Sequence, residues 1–316
     1  MTDILYIKTS SLGDVIHHMP ALTEAKRKLA GARFSWVVEE AFAPLMRLHP
    51  GVDAVIPVAS RRWRSALHKP SSWREMGDFR GALRAQGYDE VVDTQGLLRT
   101  ALIARSARGR RHGYDSASIR ERLASPFYDV RHRVSRDLHA VARNRMLSGL
   151  ALGYAPEGAP DYGLDRARLA TSGTKRYAVL LHATARPGKE WPEQNWIALG
   201  QALTKSGVEL VLPWGNEAER VRSERIASVL PNARVPDRAP LDAVARLIAG
   251  ASFVVGVDTG LLHLAAALSV PLVAIFTGSV PSLTGPMGAG PLAVVGSDGH
   301  APSVADVMSA VERTAR

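Results

Sequence analysis

The chain alternates short apolar runs with amphipathic stretches, and this alternation restricts the possible folds more than any other feature of its 316 residues. Four runs in the first half have the length and composition of buried strands: ILYI, FSWVV, AVIPV and EVVDT. Helical periodicity fills the segments between them, as in VIHHMPALTEAKRKLA and LLRTALIARSA. Such alternation predicts a parallel sheet that is covered by helices on both faces.

The same pattern starts again after residues 153–175, a segment rich in Gly, Pro and Ala that we interpret as a linker. Strands are predicted at YAVLLHA, VELVLPW, FVVGV and PLVAIF, with helices beginning at Glu193, Glu217 and Leu241. Ser303 has the side chain expected of the N-cap of a last helix.

We therefore predict an α/β fold made of two Rossmann-like doubly wound domains facing a cleft. Their predicted bounds are residues 1–160 and 161–300, with a C-terminal helix in residues 301–316. Sheets of this kind bind ligands beyond the carboxyl ends of their strands, so the loops that follow strands are the places to look for a site.

The composition limits the chemistry that the side chains can perform, and the pattern of apolar residues bears on the compartment of the protein. The chain has no cysteine, which excludes disulfides, thiolate metal sites and cysteine nucleophiles. Its first residues do not form a targeting segment, so we expect a cytoplasmic protein. The apolar stretch of residues 253–276 is long enough to suggest a membrane span, but Asp258, His263 and Pro271 interrupt it. We predict strand, turn, helix and strand there.

The positive charge is concentrated in the N-terminal half. Residues 1–160 hold 25 Lys or Arg and 16 Asp or Glu, a balance of +9, whereas the remainder has a balance of +1. The excess is clustered in RRWR (61–64), RGRRH (108–112) and RHRVSR (131–136). Any one cluster is equally well explained as a solvated surface, but three clusters in one half favour an anionic partner.

The loop TSSLGD follows the first predicted strand. Gly13 permits a tight turn, and Ser10 or Ser11 can bind the open N–H groups of the next helix. From the residues alone, Asp14 is more often an N-cap than a catalytic base.

Three further loops follow strands in the second half. LHATARPGKEWP (181–192) offers a hydroxyl and two cations, although a solvated basic loop would look the same. VDTGLLHLAAAL (257–268) suits a diphosphate, because an Asp258 cap would precede open N–H groups at a helix N-terminus. In LPWGNEAER (212–220) the glutamates fit either a helix dipole or a ribose contact, and spacing does not decide between them.

Several common motifs are missing. The sequence contains neither G-x-G-x-x-G after the first strand nor G-x-x-x-x-G-K-[ST], and it lacks H-E-x-x-H and G-x-S-x-G. Glu39 or Glu40 ends the second strand near the position of a ribose-binding acid, which keeps a nucleotide-sugar oxidoreductase as an alternative.

Six segments together resemble the ADP-heptose glycosyltransferase family: KTSSLGDVIHHMPALTEA, IPVASRRWR, DTQGLLRTALIAR, LHATARPGKEWP, LPWG and VDTGLLHLAAAL. They run in the family's order over about residues 4–276. The K-T-S-S-x-G-D opening and RRWR favour the members that add the first heptose over heptosyltransferase II and other relatives, which remain the alternative within the family.

The resemblance implies a GT-B architecture, with the acceptor on the N-terminal domain and the nucleotide sugar on the C-terminal one. It implies transfer of L-glycero-D-manno-heptose from ADP-heptose to the first Kdo of Kdo-bearing lipid A in lipopolysaccharide inner-core biosynthesis. No cofactor and no metal would be required, and no nucleic-acid partner is expected. The enzyme would be cytoplasmic with peripheral contact to the inner membrane, where a lipid acceptor resides.

Carried over position by position, the family's catalytic base falls on Asp14. Its donor-binding residues fall on Thr184, Lys189, Glu219, Asp258, Thr259, Gly260 and His263, and its acceptor contacts on Arg61, Arg62 and Arg120. Two departures are Ala185, where the family often has a second Thr, and Ala239, where it often has Met. The residues after PLVAIF also differ from the family's usual pattern, so the resemblance assigns no role to any residue there.

The mechanism that follows is an inverting single displacement. Asp14 would take the proton of the attacking Kdo hydroxyl, while Lys189 and the helix N-terminus at Thr259 would offset charge on the departing ADP. Domain closure would have to bring Asp14 to the donor. A non-catalytic polyanion-binding protein is a further alternative, since it would share the basic half, although it gives no reason for the TSSLGD and VDTGLLH loops.

Overall fold

The computed structural model describes residues 1–170, 176–184, 186–278 and 281–315, and it divides into two compact domains. The N-terminal domain is Met1–Gly163 and the C-terminal domain is Leu164–Arg316. The division falls inside the segment that we interpret as a linker, of which residues 171–175 lie outside the described ranges.

The N-terminal domain is a sheet of six parallel strands with helices between them. The strands are β1 Asp3–Ile7, β2 Arg33–Glu39, β3 Ala54–Val58, β4 Gly87–Asp93, β5 Arg108–Tyr114 and β6 Val130–His132. The helices are α1 Leu12–Ile16, α2 Met19–Lys28, α3 Ala43–Met46, α4 Ser60–Ser65, α5 Pro70–Ala85, α6 Leu98–Ser106 and α7 Ala140–Leu152, with 3-10 turns at Glu40–Phe42 and Arg122–Phe127.

The C-terminal domain repeats this plan. Its strands are β7 Tyr177–Leu181, β8 Glu209–Val211, β9 Ala233–Arg234, β10 Phe253–Val257, β11 Leu272–Ile275 and β12 Leu292–Val295. Its helices are α8 Arg166–Leu169, α9 Glu193–Lys205, α10 Glu217–Ser228, α11 Leu241–Gly250, α12 Gly260–Ala267, α13 Pro281–Thr284 and α14 Val304–Thr314, with a 3-10 turn at Pro187–Lys189.

Both sheets have the Rossmann strand order. In the N-terminal sheet it is β3-β2-β1-β4-β5-β6, and in the C-terminal sheet β9-β8-β7-β10-β11-β12. The direction of winding therefore reverses between β1 and β4 and again between β7 and β10. At each reversal the connections leave to opposite faces, so the loops after these four strands border an open crevice at the carboxyl edge.

The central strands are apolar because helices cover both of their faces. Every side chain from Ile4 to Ile7 in β1 is fully buried, and β10 is buried throughout. Parallel strands in this position lose the polar alternation of half-exposed strands, which is why the sequence shows continuous apolar runs there.

The helix starts predicted at Glu193, Glu217 and Leu241 are confirmed. Ser303 is the N-cap of α14, where its hydroxyl accepts a hydrogen bond from the Asp306 N–H at 3.2 Å. The apolar stretch of residues 253–276 forms strand, helix and strand as predicted. No helix within the described ranges has the length together with the apolar character that crossing a bilayer requires.

The prediction missed four strands, β5, β6, β9 and β12, and one helix break. β5 reads RGRRHGY and has no apolar run, since its first three residues are exposed and Arg111 pairs with Asp129. Two of the basic clusters thus contribute to strands of the sheet. The predicted first helix is in fact two, because α1 ends at Ile16 and α2 begins at Met19, with Pro20 in its first turn.

Candidate active site

The loop between β1 and α1 is fastened to the loop that follows β4. The Gln95 side-chain oxygen accepts hydrogen bonds from the N–H groups of Thr9 at 3.1 Å and Ser10 at 3.2 Å. The Arg99 guanidinium donates to the Ser10 hydroxyl at 2.6 Å. Gln95 is in turn held by its own N–H, which donates to Asp93 at 2.8 Å. The DTQGLLR segment therefore fixes the backbone that carries TSSLGD.

Asp14 occupies the third position of α1, and Ser11 is the N-cap. The expectation that Asp14 itself caps the helix is thus corrected. The Ser11 N–H and hydroxyl both donate to Asp14 Oδ2, at 2.8 and 2.9 Å. Asp14 is half-buried, and within the part of the chain that the structure describes its Oδ1 receives no hydrogen bond. One carboxylate oxygen serves the helix and the other remains available.

Two buried ionisable groups lie beneath this loop, and the sequence reasoning missed both. Lys8 is 6% exposed and donates to the Thr94 carbonyl at 2.9 Å and to Asn144 at 3.4 Å. Burial lowers the pKa of Lys8, while the charges of Asp14 and Asp93 oppose that shift. A lysine directly after a fully buried strand was the available signal.

Asp93 ends β4 and is fully buried. It accepts hydrogen bonds from the Tyr128 hydroxyl at 2.7 Å and from the N–H groups of Gln95 and Gly96. Burial raises the pKa of Asp93, and these hydrogen bonds oppose the rise. Lys8 and Asp93 thus place a buried amine and a buried carboxyl group at the switch point of the N-terminal sheet.

The predicted acceptor arginines Arg61 and Arg62 lie on α4, which Glu39 anchors. The buried Glu39 carboxylate accepts from the Ser60 hydroxyl at 2.6 Å and from the Arg61 N–H at 3.0 Å. The Glu39 N–H donates to the Thr9 carbonyl at 3.1 Å, which ties α4 to the Asp14 loop. The role of Glu39 here is structural, which removes the support that it gave to an oxidoreductase.

The side chains of these arginines differ in what they contact. The Arg61 guanidinium lies over the Phe42 ring, 5.6 Å from its centroid, and is exposed. Arg62 pairs with Glu40 at 3.0 Å and with Glu75 at 2.7 Å, so an acceptor would have to compete with two carboxylates for it. Arg120 is exposed, and its positive charge contributes to the lowered pKa of Lys8.

The predicted donor residues cluster at the switch point of the C-terminal sheet, where Asp258 follows β10 and is 9% exposed. Its carboxylate forms a salt bridge with Lys189, and its Oδ1 lies 3.6 Å from His263 Nε2. The Thr184 hydroxyl donates to its carbonyl at 3.1 Å. The structure therefore brings four residues from three separate loops and helices to one point.

The N-cap of the following helix is Thr259, not Asp258 as predicted. The Asp258 carboxylate, one residue before the cap, pairs with Lys189. Gly260 is the first residue of α12, so the open N–H groups of that helix start directly beside the Lys189–Asp258 pair.

Glu219 lies in the first turn of α10, on a different element from the residues around Asp258. Its carboxylate accepts from the Gly215 N–H and from the Asn216 amide, each at 2.7 Å, and Asn216 caps the helix. The structure gives Glu219 a capping role, and its ribose contact stays a prediction. Ala239 is exposed just before α11, whereas Ala185 lies outside the described residues.

The loop that carries Lys189 is held by residues that the sequence reasoning did not select. The Arg222 guanidinium donates to the Trp191 carbonyl at 2.8 Å and pairs with Glu190 at 2.7 Å. The Thr277 hydroxyl donates to the Gly188 carbonyl at 3.3 Å. A Cβ on Gly278 would lie 2.6 Å from that carbonyl, so only glycine fits there. These long-range contacts have no signature in spacing.

Among the described residues, no three or more His, Asp or Glu side chains come together in an arrangement that could hold a metal ion.

Comparison with known proteins identifies the enzyme class. The model of glycosyltransferase family 9, the heptosyltransferases, matches residues 76–310. The chain belongs to this family and is a glycosyltransferase. Its fold class is confirmed as two Rossmann-like doubly wound domains of the GT-B type.

Particular relatives cover almost the whole chain. Lipopolysaccharide heptosyltransferase 1 of Escherichia coli (strain K12) is 45% identical over 289 residues, which span 90% of this chain and 91% of that protein. The solved structure of E. coli heptosyltransferase WaaC with ADP superposes with a TM-score of 0.93 at 40% identity, covering 99% of this chain and 100% of that one. WaaC with ADP-2-deoxy-2-fluoro heptose gives a TM-score of 0.88 at 40% identity, covering 99% and 98%.

Replacing Gln95 with Leu should destabilise the Asp14 loop, because the N–H groups of Thr9 and Ser10 would lose their shared acceptor. We expect the free energy of unfolding to fall by about 1–3 kcal/mol in urea denaturation. Gln201, exposed on α9, offers a matched control. Gln201→Leu should change the free energy of unfolding by less than about 0.5 kcal/mol. Equal effects of the two substitutions would show that Gln95 does not anchor the loop.

Proposed function

We propose that this chain transfers L-glycero-D-manno-heptose from ADP-heptose to the first Kdo of Kdo-bearing lipid A, in the inner core of lipopolysaccharide. The observation that carries the proposal is the similarity to lipopolysaccharide heptosyltransferase 1 over 90% of the chain. The WaaC complex with a fluorinated ADP-heptose analogue, matched over 99% of the chain, supports ADP-heptose as donor.

In this proposal Asp14 is the general base. Its Oδ2 is held by Ser11, so Oδ1 is the oxygen that takes the proton of the attacking Kdo hydroxyl. The hydroxyl oxygen bonds to the anomeric carbon of heptose as the bond to ADP breaks, and ADP leaves with the electron pair. Assistance by a positioned base typically contributes about 10²–10⁴-fold to the rate.

The donor diphosphate would lie against Lys189 and the N-terminus of α12. An ammonium group and open helix N–H groups both stabilise the negative charge that grows on ADP as the bond to heptose breaks. Asp258 supports this role by holding Lys189 beside Gly260. With these groups neutralising the diphosphate, we propose that transfer needs no metal and no other cofactor.

The basic N-terminal domain fits the acceptor, which is phosphorylated and carboxylated. Arg61, Arg62 and Arg120 are the proposed contacts, and the balance of +9 in residues 1–160 would attract the acceptor over a longer range. Because that acceptor is a lipid, we propose a cytoplasmic enzyme in peripheral contact with the inner membrane.

The proposed function is tested by incubating the purified protein with ADP-heptose and Kdo-bearing lipid A, with and without EDTA. We expect a heptosylated product and free ADP at the same rate in both samples. Loss of transfer with EDTA and its return with Mg²⁺ would contradict the metal-independent scheme. Absence of transfer to this acceptor, with transfer to one that already carries heptose, would instead favour a heptosyltransferase II activity.

Substituting Asp14 by Asn should lower kcat by about 10²–10⁴-fold and leave ADP affinity unchanged, because the amide keeps the shape but cannot take the proton. Asp306 is a close control, since it holds the same position in α14 and accepts from the Ser303 N–H and hydroxyl at 3.0 and 2.7 Å. Asp306→Asn should therefore keep its kcat. Near-normal turnover of Asp14→Asn in a steady-state assay would remove Asp14 from the role.

Lys189→Met should weaken ADP binding by about 10–100-fold, the usual value of a charge-assisted hydrogen bond. Isothermal titration calorimetry measures this directly, with Lys205→Met on the exposed end of α9 as the control. If both variants bound ADP like the unmodified protein, Lys189 would not contact the diphosphate.

A further inference from the structure

Helix α5 presents an exposed face that combines an aromatic side chain with cations. Trp73 is 62% exposed and Leu67, in the turn before the helix, is 48% exposed. Spacings of seven and eleven residues bring Arg80 and Arg84 onto the same side of the helix as Trp73. Together with Lys69 we call these residues the Trp73 face.

The geometry of the indole is fixed even though its ring is exposed. Trp73 Nε1 donates to the Leu67 carbonyl at 2.8 Å, which holds the ring over the turn between α4 and α5. The helix buries only Ser72 and Leu83, so most of its surface is left to solvent. The indole is therefore held in a defined position with most of its surface open to contact from outside the domain.

The charge around this indole is strongly positive. Residues 60–85 contain seven Lys or Arg and two acidic residues, a balance of +5. Of the two acids, Glu75 binds Arg62 and the Trp63 indole N–H. The three cations of the Trp73 face are exposed and form no ion pair with a described residue, and Arg84 donates to the uncharged Ser106 carbonyl at 3.3 Å. Their charge is therefore available to an external anion.

We infer that the Trp73 face docks on a bilayer surface that contains anionic phospholipid. Indole rings favour the boundary between hydrocarbon and water, and cations beside them are attracted to negatively charged headgroups. A protein partner fits less well, because a stable protein interface needs an apolar core and this face offers two apolar side chains among cations. The inference rests on the proposed function only in explaining why the enzyme would meet a lipid surface.

Sedimentation of the full chain with vesicles tests the inference without donor or acceptor. We expect binding to vesicles of phosphatidylcholine with about a quarter phosphatidylglycerol, and little binding to phosphatidylcholine alone. Trp73→Ser, and separately Lys69→Gln combined with Arg80→Gln and Arg84→Gln, should each lower the partition coefficient about tenfold. Trp73→Phe should restore most of the binding, since an aromatic ring remains.

Val229, 52% exposed at the end of α10 in the other domain, provides the control, and Val229→Ser should bind like the unmodified protein. Circular dichroism of each variant shows whether α5 is still folded. Unchanged binding by Trp73→Ser would overturn the inference, as would equal binding to both kinds of vesicle or binding that appears only when the lipid acceptor is added.

Transfer assays separate this inference from the proposed function. With an acceptor whose acyl chains have been removed, Trp73→Ser should react at the normal rate, whereas transfer to acceptor embedded in anionic vesicles should fall. An equal loss with both acceptors would assign Trp73 to the acceptor site and overturn the docking inference. If the unmodified protein bound vesicles but transferred no heptose, the proposed function would fail and the docking inference would stand.

Discussion

The reversal of strand order at the centre of each sheet is the constraint on which the rest of the structure depends. Where β1 adjoins β4, and where β7 adjoins β10, successive connections leave to opposite faces and open a crevice at the carboxyl edge. The Asp14 loop follows β1, and the Lys189 and Asp258 loops follow β7 and β10. Parallel strands thus deliver side chains that are distant in sequence to one edge of each sheet.

The two crevices have the same strand order, but the key side chain carries a negative charge in one and a positive charge in the other. In the N-terminal domain, which is rich in Lys and Arg, the Asp14 carboxylate is held by Ser11, and Gln95 binds the backbone of the same loop. In the C-terminal domain the Lys189 ammonium lies at the N-terminus of α12 and is held by Asp258. The capping geometry of Asp14 recurs at Asp306, so it is the place in the sheet, not the cap, that suggests catalysis.

Patterns in the sequence predicted the elements that bury apolar side chains. They failed for a strand made of charged residues and for contacts between residues that are distant in sequence. The tandem sheets, the helix starts and the loops after strands follow from periodicity. β5 was missed because its strand is basic. The predicted Asp258 cap was wrong because Thr259 is the N-cap, and the Asp258 carboxylate pairs with a lysine 69 positions earlier. The clamp of Gln95 on the Asp14 loop likewise joins residues 85 and 86 positions apart, which no local pattern encodes.

The central claim is that Asp14 activates the acceptor hydroxyl for a single displacement at the anomeric carbon of the donor. The anomeric configuration of the heptose in the product, determined by NMR and compared with that in ADP-heptose, tests it most directly. A single displacement inverts this centre, so the account predicts the opposite configuration in the product. Retention of configuration would contradict it, because a single displacement from the face opposite ADP cannot preserve the configuration at this carbon.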